Sequence, residues 1–343
     1  MQRILTERDI PELKKIWKDI FHDSDNFINW FFSNRFRPQM SFAHEINGEI
    51  VCVIHSYPIK INLHGKALPA VMISGVATLP HYRKKGLMHS LFKFALNKLD
   101  EMGYFLCYYY PANPDFYKSL GHIHITDNIT VNCLPSNPNK CKSETYDIKD
   151  TVMSLKQLYN AFSSKYNCGV NRQDDFELKM SEHIGEGLFC KCISNASGNP
   201  DAYVIYHQTD AFYEIAELAG NEEKLTELLS GFSMPVKAKL PPDFPAEKVF
   251  SEFHLSTGNM GGIINVRRFL SETASDCPLI VKITDSVLCD NCGVFDFKGN
   301  PSHKLPDITL TAGELLQTVT GYKVHPRLTD YFPTCICFSQ DLY

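Results

Sequence analysis

The chain has 343 residues, of which 44% are hydrophobic and 21% charged, with a formal net charge of −5. This length exceeds what one hydrophobic core usually serves, so we expect two or three domains, and the balanced composition excludes wholesale disorder. The mild negative charge gives no long-range attraction to nucleic acid or to an anionic membrane, and no stretch approaches the roughly 20 apolar residues of a membrane span. Because the first residues lack the apolar segment of a signal peptide, we expect a cytoplasmic protein without nucleic-acid or membrane partners. Whether it forms a homo-oligomer stays open at this stage.

The twelve cysteines are scattered, and many fall within strand-like runs, such as Cys52, Cys107 and Cys190. In a reducing compartment such residues act as small buried apolar side chains. Only Cys289 and Cys292 form a C-x-x-C pair, and a structural zinc site usually needs four ligands. We therefore expect no metal, and a zinc-dependent module would need two further ligands nearby in space.

The first third of the chain predicts a mixed α/β order. Thr6 and Asp9 are placed to cap an amphipathic helix that includes Ile10, Leu13 and Trp17. The pair Asn47-Gly48 predicts a hairpin, because both residues tolerate the positive φ of a tight turn. The remaining pattern predicts strands over 40–46, 49–56, 57–63 and 70–78, a helix over 85–102, a strand over 104–110, a short helix over 115–120 and a strand over 123–131.

Two breaks divide the rest of the chain. Residues 135–139 are polar and rich in Pro and Asn, and residues 235–245 are rich in Pro. Beyond the second break we expect strands over 262–266, 279–283 and 293–297, a strand–helix pair over 308–319 and a terminal strand over 334–338. The predicted domains are residues 1–135, 136–245 and 246–343.

One stretch carries most of the chemistry. A buried strand ends at Val76-Ala77-Thr78, Pro80 follows, and the basic turn Arg83-Lys84-Lys85-Gly86 opens an amphipathic helix. The N–H groups of a helix's first turn point outward and favour an anion, and glycine permits an unusual φ. The stretch lacks the strings of a P-loop or a dinucleotide fold. We interpret it as a pyrophosphate cradle; the alternative is a plain strand–loop–helix connection with solvated basic residues.

This stretch, V-x-x-x-P-x-x-R-x-x-G, resembles the acetyl-coenzyme A signature of the GNAT acyltransferases. The downstream residues 113–122, with Phe116-Tyr117 and Gly121, are similar to a second motif of that family. Met88 stands where the common pattern has Gly or Ala, but Arg-x-x-Gly-Leu-Met is similar to the enhanced intracellular survival (Eis) subgroup. That resemblance implies an α/β fold with mixed sheets, in which an active GNAT domain and a degenerate second GNAT-like domain precede a sterol-carrier-protein-like α/β domain.

The resemblance also implies roles for individual residues. The backbone of Val76, Ala77 and Thr78 would pair with the pantetheine arm, and a bulge there would free an N–H for the thioester oxygen. Tyr117 would be the general acid that protonates the departing thiolate. Backbone donors from Lys84, Lys85, Gly86, Leu87, Met88 and His89 would wrap the pyrophosphate beside the Arg83 charge, and Ala112 and Asn113 would line the far end of the pantetheine.

The general base is less determined. In the Eis family a free C-terminal carboxylate takes this role, and the corresponding residue here is Tyr343. The alternatives are Glu45, Glu49, His55 and Asp115. The second region has Glu222 and Glu223 at the position where a phosphate would bind, and their negative charge would repel it. We therefore expect that domain to form one side of the acceptor cleft rather than to bind coenzyme A. Aromatic residues that could line a cleft, most of which we expect in the core, are Phe27, Trp30, Phe31, Phe32, Phe36, Tyr108, Tyr109 and Tyr110.

The sequence therefore predicts an N-acetyltransferase that uses acetyl-coenzyme A and no metal. The acetyl group would pass directly to a primary amine of a small molecule or peptide, since nothing requires an acetyl-enzyme at Cys107. Aminoglycosides, polyamines, peptide N-termini and lysine side chains all present such amines. The alternative is a non-catalytic protein that binds acyl-coenzyme A or lipid through the C-terminal domain.

Overall fold

The computed structural model describes residues 1–136, 138 and 143–341. Its elements are numbered here in chain order. The first group is β1 (Gln2–Ile4), α1 (Ile10–Phe21), α2 (Asp25–Asn34), β2 (Phe42–Ile46), β3 (Glu49–Leu63), β4 (Lys66–Thr78), α3 (Leu87–Glu101), β5 (Leu106–Tyr109), α4 (Pro114–Lys118) and β6 (Ile123–His124). The second is β7 (Asp127–Cys133), β8 (Glu144–Tyr146), α5 (Ile148–Ser163), α6 (Phe176–Gly185), β9 (Phe189–Ser194), β10 (Pro200–Gln208), β11 (Tyr213–Gly220), α7 (Glu222–Ser230) and β12 (Val236–Leu240). The third is β13 (Phe253–Thr257), β14 (Met260–Ile263), α8 (Val266–Glu272), β15 (Ile280–Thr284), β16 (Gly293–Asp296), β17 (Ile308–Thr311) and α9 (Ala312–Thr320).

The first sheet has the strand order β1-β2-β3-β4-β5-β14-β6. Strands β1 to β4 are antiparallel neighbours, β4 and β5 run parallel, and β14 is antiparallel to both β5 and β6. A strand from the last third of the chain thus completes the N-terminal sheet. The strand predicted over 262–266 begins two residues earlier and ends three residues earlier, at Ile263. It ends there because Asn265 caps α8 through a hydrogen bond from the Arg268 N–H.

The second sheet has the order β13-β7-β12-β11-β10-β9-β8. The single strand predicted over 123–131 is wrong, since β6 and β7 belong to different sheets with a break at Ile125 and Thr126. Strands β7 and β13 therefore pair within the second sheet, although they fall inside the predicted ranges 1–135 and 246–343. The three domain ranges stay a prediction.

The third sheet is small, with the order β16-β15-β17, and α9 packs beside it. The terminal strand predicted over 334–338 is wrong: there Cys337 forms only an isolated bridge with Asn167. The segment is nevertheless held, because the Asp127 N–H donates to the Cys337 carbonyl at 3.1 Å and the Phe338 N–H donates to the Asn167 carbonyl at 3.1 Å. Two distant parts of the chain, at Asp127 and Asn167, thus hold this segment by hydrogen bonds without a sheet ladder.

Two helix contacts position the clefts described below. Helix α3 packs on β3 through residues at three- and four-residue spacing, which form one apolar stripe: Leu91, Phe92, Ala95, Leu96 and Leu99. Helix α2 of the first group packs on α6 of the second group. The described chain is thus a mixed α/β fold with several mixed sheets, which confirms the predicted fold class at that level.

Candidate active site

Strands β4 and β5 pair over only two positions and then separate. Their partners are Val71 with Cys107 and Met72 with Tyr108, whereas β4 continues along β3 as far as Thr78. The rest of β4 therefore faces an opening where a parallel neighbour would otherwise lie. Its free edge can pair with an extended ligand, as an added strand would.

A β-bulge interrupts β4 at this opening. The register pairs Val53 with Ala77 and His55 with Ser74, so two residues of β4, Gly75 and Val76, oppose one residue of β3. Gly75 has φ +55°, and a Cβ there would lie 2.6 Å from Trp17 Cζ3. Glycine is thus required by both conformation and space, and the structure has the bulge that the resemblance implies.

The opening forms one face of a cleft of about 700 Å³, called here the β4–β5 cleft. All the residues predicted to contact the cofactor, and Tyr117, line it. The lining residues are Ile20, Val76, Ala77, Thr78, Tyr82, Arg83, Lys84, Lys85, Gly86, Leu87, Met88, His89, Ala112, Asn113, Phe116, Tyr117 and Ser119.

The basic turn presents backbone donors to this cleft. Lys84 and Gly86 have φ of +60° and +75°, and the first hydrogen bond of α3 runs from the Ser90 N–H to the Gly86 carbonyl at 3.1 Å. The N–H groups at the start of α3 therefore lack acceptors within the helix. Arg83 Nε donates to the Thr78 carbonyl at 3.0 Å and ties the turn to the end of β4. Such a turn suits a pyrophosphate.

Tyr117 on α4 faces the β4–β5 cleft from the opposite side. Its ring is 7% exposed and lies 4.3 Å from the Tyr109 ring, centroid to centroid. Tyr109 Oη in turn lies 2.6 Å from His122 Nδ1. Burial raises the pKa of Tyr117 to about 12, so the phenol keeps its proton at neutral pH and can donate it.

A second cleft, of about 630 Å³, begins at the bulge and is called here the acidic cleft. It includes Ser74 and Gly75, whereas the next residues, Val76 and Ala77, line the β4–β5 cleft. The two clefts therefore meet β4 at consecutive residues. The acidic cleft is lined by Trp17, Phe21, Asp23, Ser24, Phe27, Ser74, Gly75, Lys179, Glu182, His183, Glu186, Leu188, His207, Glu214, Ile215, Ala216 and Gln340.

The charge of the second cleft suits a cation. Glu182 is 4% exposed, and its Oε1 accepts from Lys179 Nζ at 2.5 Å. Its Oε2 is buried without a hydrogen-bond partner in the part of the chain that the structure describes. Since an unpaired buried carboxylate oxygen costs about 1–3 kcal/mol or more, a ligand's ammonium group would be stabilised there.

Sequence reasoning missed the α6 residues of this cleft. The signal available was the four-residue spacing of Glu182 on α6 and Glu186 at its C-cap, which brings two acids to the same side of the helix end. That spacing alone also fits a solvated surface.

The alternative bases proposed from sequence do not line either cleft. Burial among aromatic rings lowers the pKa of His55 to about 3. Glu45 pairs with Arg3 at 2.7 Å, and Asp115 pairs with Lys118 at 2.9 Å. Glu49 accepts a hydrogen bond from Tyr82 Oη at 3.0 Å. Tyr343, the first choice of base, lies outside the described residues.

The other residues singled out from sequence are mostly in the core. Phe27 lines the acidic cleft, whereas Phe31, Phe32, Phe36, Tyr108 and Tyr109 are buried. Burial raises the pKa of the Cys107 thiol to about 12, which makes it a poor nucleophile.

Cys289 and Cys292 are exposed, and the described ranges contain no group of three or more His, Cys, Asp or Glu residues arranged to hold a metal. No helix within these same ranges is long and apolar enough to cross a bilayer.

Comparison with known proteins gives a family match for the N-terminal part of the chain. Residues 2–125 match the acetyltransferase (GNAT) domain family. A comparison with curated protein sequences gave no match.

Three solved structures share the fold along the chain. A probable N-acyltransferase of unknown function from Enterococcus faecalis has a TM-score of 0.80 at 16% identity, with 100% of this chain and 99% of that chain covered. A GCN5-related N-acetyltransferase from Anabaena variabilis has a TM-score of 0.78 at 16% identity, with both chains covered fully (100%). Eis1 from Mycobacterium abscessus has a TM-score of 0.76 at 15% identity, again with 100% of both chains covered.

At these identities the likeness to the solved structures concerns the fold, which is tandem GNAT-like. The family match concerns the domain that holds the β4–β5 cleft. The chain thus carries an N-terminal GNAT acetyltransferase domain and is an acyltransferase.

Proposed function

We propose that the protein transfers the acetyl group of acetyl-coenzyme A to a primary amine of a small molecule or peptide by direct attack. The observation that carries this proposal is the meeting of the two clefts at the β4 bulge. A thioester bound in one cleft and an amine bound in the other would approach each other there. Holding two reactants in this way is a large part of the catalysis available to such an enzyme.

The donor is bound by backbone and charge. The free edge of β4 at Val76 and Thr78 pairs with the pantetheine amides, and the N–H groups that follow Gly86 bind the pyrophosphate. Arg83 and Lys85 add positive charge beside it. A backbone N–H freed by the bulge hydrogen-bonds to the thioester oxygen and stabilises its developing negative charge.

Tyr117 protonates the departing thiolate. Its raised pKa keeps it protonated until that step, although the same shift makes it a weaker acid than an exposed phenol. For the base, the sequence predicts the Tyr343 carboxylate, and the acidic cleft offers the His183 side chain as the competing candidate.

The acceptor is a cationic amine. The acidic cleft is lined by Asp23, Glu182, Glu186 and Glu214 against one lysine, Lys179. The proposal keeps two further predictions, namely a sterol-carrier-protein-like fold for residues 246–343 and a cytoplasmic location.

A thiol-release assay with acetyl-coenzyme A against a panel of amines tests the proposal. The panel should contain monoamines and polyamines of similar size, together with an aminoglycoside and a lysine peptide, and calorimetry should measure acetyl-coenzyme A binding separately. We expect micromolar binding and faster turnover with polycationic amines. Absence of acetyl-coenzyme A binding would refute the donor assignment, and binding without transfer to any amine would refute the acceptor assignment.

A further inference from the structure

His183 is a histidine of the acidic cleft that has a buried carboxylate behind it. The residue lies on α6, lines the cleft and is 3% exposed. Its Nε2 is 3.4 Å from Oε2 of Glu217 on β11. Because Glu217 occupies Nε2, the nitrogen left for a ligand is Nδ1.

Glu217 is held as an anion in a fixed place. It accepts hydrogen bonds from the buried Arg172 guanidinium and from Tyr203 Oη, the latter at 2.6 Å. Burial alone would raise its pKa, but Arg172 and the hydrogen bonds from His183 and Tyr203 keep the pKa of Glu217 below its usual range. Arg172 is itself fixed on its other side by Asp341 at 2.8 Å.

This arrangement sets the state of His183. An ionised carboxylate at Nε2 favours the tautomer with its proton on Nε2, which leaves a lone pair on Nδ1. Burial lowers the pKa of His183, so the ring is neutral at pH 7 and can accept a proton. Lys179 acts in the same direction, and Glu217 and Glu182 oppose it. The other charged or titratable groups lining the cleft are Asp23, Glu186, His207 and Glu214.

We propose that His183 accepts the proton of the acceptor ammonium in the acidic cleft, with Glu217 and Arg172 as positioning residues. An ammonium N–H bond breaks as an Nδ1–H bond forms, and the freed nitrogen lone pair attacks the thioester carbon. The C–S bond then breaks, and Tyr117 protonates the thiolate. The second ammonium proton leaves the nitrogen and restores the Tyr117 phenol, while the imidazolium releases its proton to water. This inference rests on the proposed acetyl transfer.

The test compares pH–rate profiles for wild type, His183→Gln and Glu217→Gln, with His254→Gln as a histidine control on the exposed strand β13. We expect kcat of His183→Gln to be about 100-fold below that of wild type near pH 7, because the substitution removes the general base. Activity should recover at alkaline pH, where the amine loses its proton to solvent. Binding of acetyl-coenzyme A by calorimetry should be unchanged. In Glu217→Gln the acidic limb of the pH–rate profile should move to lower pH, because the His183 imidazolium loses its counter-ion and its pKa falls.

The outcomes are distinguishable. A wild type that neither binds acetyl-coenzyme A nor releases thiol would refute the proposed function and this inference together. Acetyl transfer by His183→Gln at the wild-type rate and with the wild-type pH profile would overturn this inference alone. If residues added after Tyr343 abolish transfer while His183→Gln remains active, the base is the Tyr343 carboxylate. Should His183→Gln fail to fold, ¹⁵N-histidine NMR of the wild type decides: a proton on Nδ1 rather than Nε2 at pH 7 overturns the inference.

Discussion

Gly75→Ala tests whether the β4 bulge couples the stability of the first sheet to catalysis. Alanine at a left-handed φ costs about 1–2 kcal/mol. The added Cβ would also lie 2.6 Å from Trp17 Cζ3 and 2.8 Å from His55 Cδ2. Both rings are buried, so neither can move freely, and overpacking of this kind costs typically about 1–3 kcal/mol. We therefore expect unfolding free energy to fall by about 2–5 kcal/mol in total.

Gly48→Ala is the matched control, because Gly48 also has a positive φ, +84°, but open space where its Cβ would be. Urea denaturation should show only the conformational cost there, about 1–2 kcal/mol. In thiol release, Gly75→Ala should lose roughly 100-fold in kcat, the usual effect of misplacing one oxyanion donor, whereas Gly48→Ala should retain wild-type kcat. Equal destabilisation of the two variants together with full activity of Gly75→Ala would refute the reasoning.

Three further perturbations follow from the described contacts. Tyr117→Phe keeps the ring packed against Tyr109 but removes the proton donor. The rate of thiol release should therefore fall about 100-fold with little change in melting temperature. An unchanged kcat would show that Tyr117 is not the general acid. Lys85→Gln should raise KM for acetyl-coenzyme A, and this effect should be weaker at high salt. It should not change KM for acetyl-pantetheine, which has no pyrophosphate. Equal effects on both donors would contradict a contact between Lys85 and the phosphates. Burial lowers the pKa of His122 to about 4, below its unfolded value near 6.5, so the unfolded chain binds a proton first as pH falls. His122 should therefore contribute roughly 3 kcal/mol to the decrease in unfolding free energy between pH 6.5 and 4, in addition to the contributions of other buried histidines such as His55. Urea titration of His122→Phe should show a decrease smaller than that of wild type by about this amount, and an equal decrease in both proteins would contradict the assignment.

The donor side of the site was predictable because it is local in sequence. Thirteen consecutive residues, 76–88, contain the end of a strand, a turn with basic residues and the start of a helix, and the β4–β5 cleft takes most of its wall from them. Asn47-Gly48 likewise produced the expected turn, with φ of +53° and +84°. In each case the backbone conformation depends on residues within one or two turns of chain.

The acceptor side was not predictable in the same way, because it is assembled from distant segments. Trp17, Gly75, His183 and Glu214 come from four elements, and no short pattern encodes their approach. The buried Arg172–Glu217 pair has no sequence signature either, since each residue alone would be expected on the surface. For the terminal segment, the sequence predicted an element that the structure lacks. Residues 334–338 have the apolar character of a strand, but hydrogen bonds with Asn167 and Asp127 hold the segment without a sheet partner.

The insertion of β14 explains why the first domain cannot be considered apart from the rest of the chain. Gly262 of β14 pairs with Cys107, and a Cβ on Gly262 would lie 2.3 Å from the His122 ring. That ring bonds Tyr109 Oη, and the Tyr109 ring packs against Tyr117. A strand from the last third of the chain thus supports, through two side chains, the residue that we assign as general acid. Residues 2–125 hold the family match, but the packing that fixes Tyr117 is complete only when residues 260–263 occupy the sheet between β5 and β6.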